Sequence, residues 1–180
     1  MNSIKTLVHE HFIIGKGLNI LESIINKLEK NEQVSIEKIN SLLDFFHVFA
    51  DKCHHVKEEE IMYPELEKRG IPKESGPIGV MIYEHNEGRE LYNQMKQALS
   101  DLSNNSNKKQ FISAANNYIN LLRQHIWKED NVLFRMAEQV LTENEDKQIT
   151  ERFEHFENEQ IGKEVHEKYH NLIHELEKTL

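Results

Sequence analysis

Three observations predict an all-α fold, an up-down four-helix bundle with additional C-terminal helices. The 180 residues include only seven Gly and three Pro, and Leu, Ile, Glu, Lys, Gln and Asn are plentiful. That composition suits long helices better than turn-rich β structure. Apolar residues recur at helical spacing over long stretches. Short polar or Gly/Pro-containing segments divide those stretches, as in a bundle of helices with brief connections.

The first helix is predicted from about Ser3 to Glu29, with Ile4, Leu7, Ile14, Leu18, Leu21, Ile25 and Leu28 on one face. Ser35 is placed to cap the second, which turns Ile39, Leu43, Phe46 and Ala50 inward and Glu37 and Lys38 outward. Pro64 falls late in that helix and should bend or loosen its last turns. A loop holding Gly70, Pro72, Gly76 and Pro77 leads to a third helix, about Ile78 to Leu102. The polar run Ser103 to Asn107 separates it from a fourth, about Lys108 to Val140. Two shorter helices, near Glu143–Glu159 and Lys163–Lys178, are divided at Gly162. Residues 1–140 are thus read as the bundle and 141–180 as a helical extension packed on it.

Composition narrows the function classes. AVILMFWYC residues make up 38% of the chain and DEKR 29%, so each helix must keep a wide face in water. A net charge of −9 with lysines interleaved among acids leaves no basic stripe for nucleic acid. No apolar run approaches the roughly 20 residues that span a bilayer, and no signal-peptide pattern opens the sequence. With Cys53 as the sole cysteine, the expectation is a cytoplasmic protein without disulfides and without a membrane partner. The outlying figure is eleven histidines.

An internal repeat gives those histidines a pattern. The segment His54 to Tyr63 aligns without gaps on His125 to Phe134. Both copies read His, x, x, Lys, Glu, acid, polar, aliphatic, Leu or Met, aromatic. A helix advances about 100° per residue, so each histidine can be tested against the apolar stripe of its own helix. His11 lies beside Leu7, Ile14 and Leu18, whereas His9 points away. His54 and Glu58 border the stripe of Leu43, Ala50 and Ile61, while His55 and Glu59 are rotated from it. The repeat also selects His54, because Ile126 follows His125. His85 shares a face with Met81, Gly88, Tyr92 and Met95. His125 and Glu129 border Ala115, Leu122, Leu133 and Met136, with Asp130 on the other border.

Each of the four helices thus presents one inward histidine, and two of them add a carboxylate four residues later. Such groups are costly to bury alone. A bound cation removes that cost, and imidazole with carboxylate suits iron, manganese or zinc. His9, His47, His55 and His155 are read as exposed. His166, His170 and His174 form a solvated or pH-sensitive flank of the last helix, and Tyr83 and Trp127 are assigned to packing.

The pattern His11, His54-x-x-x-Glu58, Glu84-His85 and His125-x-x-x-Glu129 resembles the hemerythrin-like (HHE cation-binding) family over nearly the first 140 residues. The resemblance implies a bundle around two non-haem iron ions joined by an oxo or hydroxo bridge. It implies His11, His54, His85 and His125 as terminal ligands and Glu58 and Glu129 as bridging carboxylates. Two departures stand out. Oxygen-carrying members place a second histidine four residues after the first on the third helix, where this chain has Arg89. They also use an aspartate at the spacing of Asp130, so Asp130 competes with Glu129. Glu84 is either a further ligand or the partner of one. Lacking a fifth histidine, the site is expected to be more open and more symmetric. That points to binding or reaction with O2, NO or hydrogen peroxide, including a catalase- or peroxidase-like activity, rather than to reversible oxygen carriage. The alternative is a non-catalytic iron-binding, storage or oxygen-binding role.

Overall fold

The structure, a computed structural model, describes residues 1–162 and 164–179. Helix α1, Asn2–Glu29, has no capping side chain of its own. Its free N–H groups are met from the far end of the chain, where Asp146 accepts from Asn2 N at 2.7 Å and Ser3 N at 3.0 Å. A carboxylate at that position also complements the positive end of the helix dipole.

Helix α2 spans residues 36–68 and begins as predicted, with Ser35 accepting from Lys38 N at 3.4 Å. Regular α geometry lasts only to Phe45. Phe46–His55 and Glu58–Met62 are wound with the wider i→i+5 turns of a π-helix, and Tyr63–Lys68 returns to α form. Pro64 lacks the N–H that would bond the Glu60 carbonyl, and Arg152 donates to that oxygen at 3.4 Å. In the connection that follows, a Cβ on Gly76 would lie 2.2 Å from the Pro72 carbonyl oxygen, so only glycine fits there.

Helix α3, Pro77–Ala98, tightens into a 3₁₀ turn at Leu99–Asp101. Helix α4 spans residues 105–140, capped by Asn104, with a π-helical stretch at Glu129–Leu133. Helix α5 spans residues 143–161, opened by a Thr142/Glu145 capping box and ended by a π-helical turn at Glu157–Ile161. Gly162, at φ 95°, breaks the chain there. Helix α6 is Val165–Thr179; the predicted start at Lys163 lies outside the described residues.

Two apolar cores result. One joins Ile14 to Leu28 of α1, Ile39 to Ala50 of α2, Leu91 to Leu99 after His85, and Phe111 to Leu122 of α4. Tyr169, Ile173 and Leu176 of α6 close it. The other joins Ile4 and Leu7, Ile61 to Leu66, Ile78 and Met81, and Leu133 to Leu141, and is covered by Ile149, Phe153 and Phe156 of α5. In every one of α1 to α4 the inward histidines and glutamates fall between the residues of one core and those of the other. Tyr83 and Trp127 are 67% and 61% exposed, against the packing role expected of them. Each lies two residues from an inward histidine (His85, His125), about 200° around the helix and so on its outer side. Among the described residues no strand occurs, and no helix is long and apolar enough to cross a membrane.

Candidate metal centre

The polar layer between the cores gathers all six residues singled out from the sequence. His11, His54, His85, His125, Glu58 and Glu129 are buried. Glu58 lies with Oε1 3.4 Å from His54 Nε2 and 3.9 Å from His11 Nε2, while Oε2 is 3.5 Å from His85 Nε2. Glu129 Oε2 is 3.1 Å from both His11 Nε2 and His125 Nε2. The Nε2 atoms of His85 and His125 face each other at 3.0 Å.

A seventh residue joins them against expectation. His55, read as exposed, is buried with its ring stacked on His85 at a centroid distance of 3.9 Å. The error came from the register. A step of 100° per residue holds for an α-helix, but Phe46–His55 is π-helical, and its wider turns bring two consecutive histidines to the inner side. Donor atoms of His55, Glu58, His85 and His125 lie within 4.8 Å of one another, as do those of His11, His54, Glu58 and Glu129. Glu58 belongs to both groups.

The outer nitrogens are equally ordered. Four of the five rings put Nδ1 within hydrogen-bond distance of a carboxylate oxygen: His11 on Asp130 at 2.8 Å, His54 on Glu10 at 2.8 Å, His85 on Glu59 at 2.6 Å and His125 on Glu84 at 3.0 Å. His55 Nδ1 lies 3.6 Å from Asp51. Such carboxylates fix the tautomer and direct Nε2 inward, as they do around metal-bound histidines. Asp130 and Glu84, each open to a ligand role on sequence grounds, therefore stand outside the donor ring as partners of histidines.

Basic side chains in turn hold most of these carboxylates. Lys57 binds Glu10, and Lys128 binds Glu84. Arg89, at the position where a histidine was missed, bonds Asp51 at 2.6 Å and Glu59 at 2.7 Å, the partners of His55 and His85. The internal repeat is thereby explained. Lys57 and Lys128 occupy the same place in the two copies, and each anchors the carboxylate that orients the histidine three residues earlier. Glu10-His11 and Glu84-His85 extend the symmetry to the other two helices. Even the aromatic at the end of each copy keeps its place, Tyr63 stacking on His85 and Phe134 on His11. His55 and the Tyr63 hydroxyl, which donates to Glu129, break the symmetry.

The charges present fit a cation centre. His11 Nε2, both oxygens of Glu58 and Oε2 of Glu129 are buried and, although neighbouring ring nitrogens or carboxylate oxygens lie 3.1–3.9 Å away, none of them makes an aligned hydrogen bond among the described residues. Natural proteins rarely leave such atoms unmet unless something else meets them. Burial, with Glu129 and Glu10 nearby, pushes the Glu58 carboxyl well above the usual carboxylate range. Burial acts the same way on Glu129, but His125 and His11 outweigh it and hold that carboxylate well below the range. Burial also opposes charge on His125, yet Glu129 and Glu84 keep it at about 9. His54 and His85 are pushed down by burial and by neighbouring imidazoles. A cation among these groups would replace their shared protons and satisfy the lone pairs together.

Sequence comparison places the chain among known proteins. Over 179 residues the chain is 25% identical to an uncharacterized protein of Mycobacterium tuberculosis, a match that takes in 97% of this chain and 68% of the relative. Over 127 residues it is 31% identical to the iron-sulfur cluster repair protein YtfE of Salmonella schwarzengrund, covering 65% of this chain and 57% of that protein. The YtfE of Salmonella newport matches to the same extent. No solved structure matches the chain. Residues 2–137 match the hemerythrin HHE cation binding domain, and the chain belongs to that family.

Proposed function

We propose that this chain is a non-haem di-iron protein that binds or reacts with O2, NO or hydrogen peroxide. The observation that carries the reading is the pair of donor groups that share Glu58. His55, His85 and His125 would hold one iron and His11 and His54 the other, with Glu58 and Glu129 between them. Imidazole and carboxylate donors suit iron. The order in which α1 to α4 each cross the two cores supports four helices running alternately up and down, with residues 141–180 as an extension.

The inclusion of His55 changes the chemistry expected from four histidines. Five restore the number that the resemblance associates with oxygen-carrying members, though the fifth comes from α2 rather than α3. The two groups are then unequal, and the side with two imidazoles would leave the more room for a small ligand. Bound iron would supply Lewis acidity and electrons to such a ligand. The chain supplies the rest. Phe134 and the apolar residues around it keep water from the His11 side. Tyr63 holds a proton on its hydroxyl, aimed at Glu129 Oε1, because burial and the adjacent Glu129 and Glu58 push its pKa well above the usual phenol value.

Iron-loaded protein is expected to show ferric charge-transfer bands that shift on adding azide, NO or hydrogen peroxide. Bands indifferent to all three would sink the reading. Similarity to YtfE favours a second one, in which the bound iron is handed on for cluster repair. That reading predicts faster iron transfer to an apo-ferredoxin with sulfide than from a free iron chelate.

A further inference from the structure

We propose that the surface pocket between α1 and α6 is the port through which a divalent transition-metal ion reaches the centre, an inference that rests on the di-metal reading above. The pocket has a volume of about 230 Å³ and is walled by His9, His166 and His170 together with Phe49. A water takes up about 30 Å³ in the liquid, so the space admits an ion with about six waters. His9 and His170 are exposed at the rim, while His166 is half-buried and reaches inward.

From His166 a line of donors leads to the centre. Its Nε2 lies 3.3 Å from Glu10 Oε1, 3.5 Å from Glu157 Oε1 and 3.4 Å from Cys53 Sγ. Donor atoms of Glu10, Cys53, Glu157 and His166 all fall within 4.8 Å of one another. The other oxygen of Glu10 sits 2.8 Å from Nδ1 of His54, whose Nε2 belongs to the inner ring. An ion held by His166 and Glu10 is thus one imidazole away from its destination.

The charge of this cluster suits passage rather than residence. The Lys57 ammonium donates to Glu10 and to Glu157, the latter at 2.5 Å, and offsets one of the two carboxylate charges. About one negative charge remains, enough to draw a dication in and too little to compete with the inner donors. Imidazole and sulfur at the port favour iron, cobalt or zinc over magnesium and calcium, which require oxygen ligands. Two of the three histidines of the last helix, His166 and His170, which the sequence suggested were part of a solvated flank, acquire a role.

The test follows Co2+ uptake by the metal-free full chain in a stopped-flow instrument, through its ligand-field absorption. In His9→Ala/His170→Ala, and separately in His166→Ala, uptake is expected to slow by about tenfold, the low end of the 10–100-fold by which metal affinity falls when a supporting group around a metal is lost. Final stoichiometry and spectrum should equal those of the unaltered chain, and millimolar Mg2+ should leave the rate unchanged. Unchanged uptake in both variants overturns the port, as does a changed final spectrum, which would make these residues part of the centre's architecture. The double variant alters only exposed side chains, so folding does not confound it. If the unaltered chain takes up no cobalt, the centre itself fails and the port with it. Full loading at equal rates sinks the port alone.

Discussion

Replacing His55 with alanine is expected to lower the metal content of the protein from two ions per chain to one. The ring is buried, stacked on His85 and grouped with Glu58, His85 and His125, and it is one of three imidazoles on its side. Loss of a residue that merely orients a ligand costs about 10–100-fold in metal affinity, so loss of a ligand should cost at least about 100-fold. The second ion would then be lost on gel filtration, and metal analysis of the eluted protein reads the result. His155→Ala, an exposed histidine on α5, should keep both ions and serves as the control. Undiminished metal in His55→Ala would leave that residue a packing partner of His85 rather than a ligand.

Removing the metal is expected to lower thermal stability more than most point substitutions would. Seven ionisable side chains converge in one layer, and the inner atoms of His11, Glu58 and Glu129 make no aligned hydrogen bond among the described residues. At free metal a thousandfold above Kd the bound ion stabilises the fold by about 4 kcal/mol. A chain of this size gains about 2–4 °C per kcal/mol. One ion alone therefore gives a rise in Tm of roughly 8–16 °C, and loading of both sites at least that much, measurable by calorimetry on chelator-treated and reloaded protein. Equal melting temperatures would mean that the seven side chains satisfy one another without a cation.

Much of this was legible from spacing alone. Six inward residues followed from apolar stripes, and the repeat chose His54 over its neighbour. The helical spans of α1, α3 and α4 agree with the pattern to within a few residues, since Leu and Ile recur where α geometry holds. The period failed at His55 because it presumes one turn geometry throughout, and π-helical turns surround the donors of α2 and α4. Two histidines in succession therefore read as one in and one out. Arg89 was seen only as a missing histidine. Its work, holding Asp51 and Glu59, depends on two helices meeting, which a single helical wheel does not contain. The matched Lys57 and Lys128 and the twin Glu-His pairs were the available signals for the outer carboxylates. Their meaning depends on contacts between helices, Glu10 against His54 and Glu84 against His125.

The most direct test of the di-iron reading is an anomalous difference map at the iron edge from crystals of protein loaded anaerobically with Fe2+. Two peaks are predicted, one among His55, His85 and His125 and one between His11 and His54, with Glu58 reaching both. A single peak, no peak, or two peaks with His55 outside their reach would contradict it.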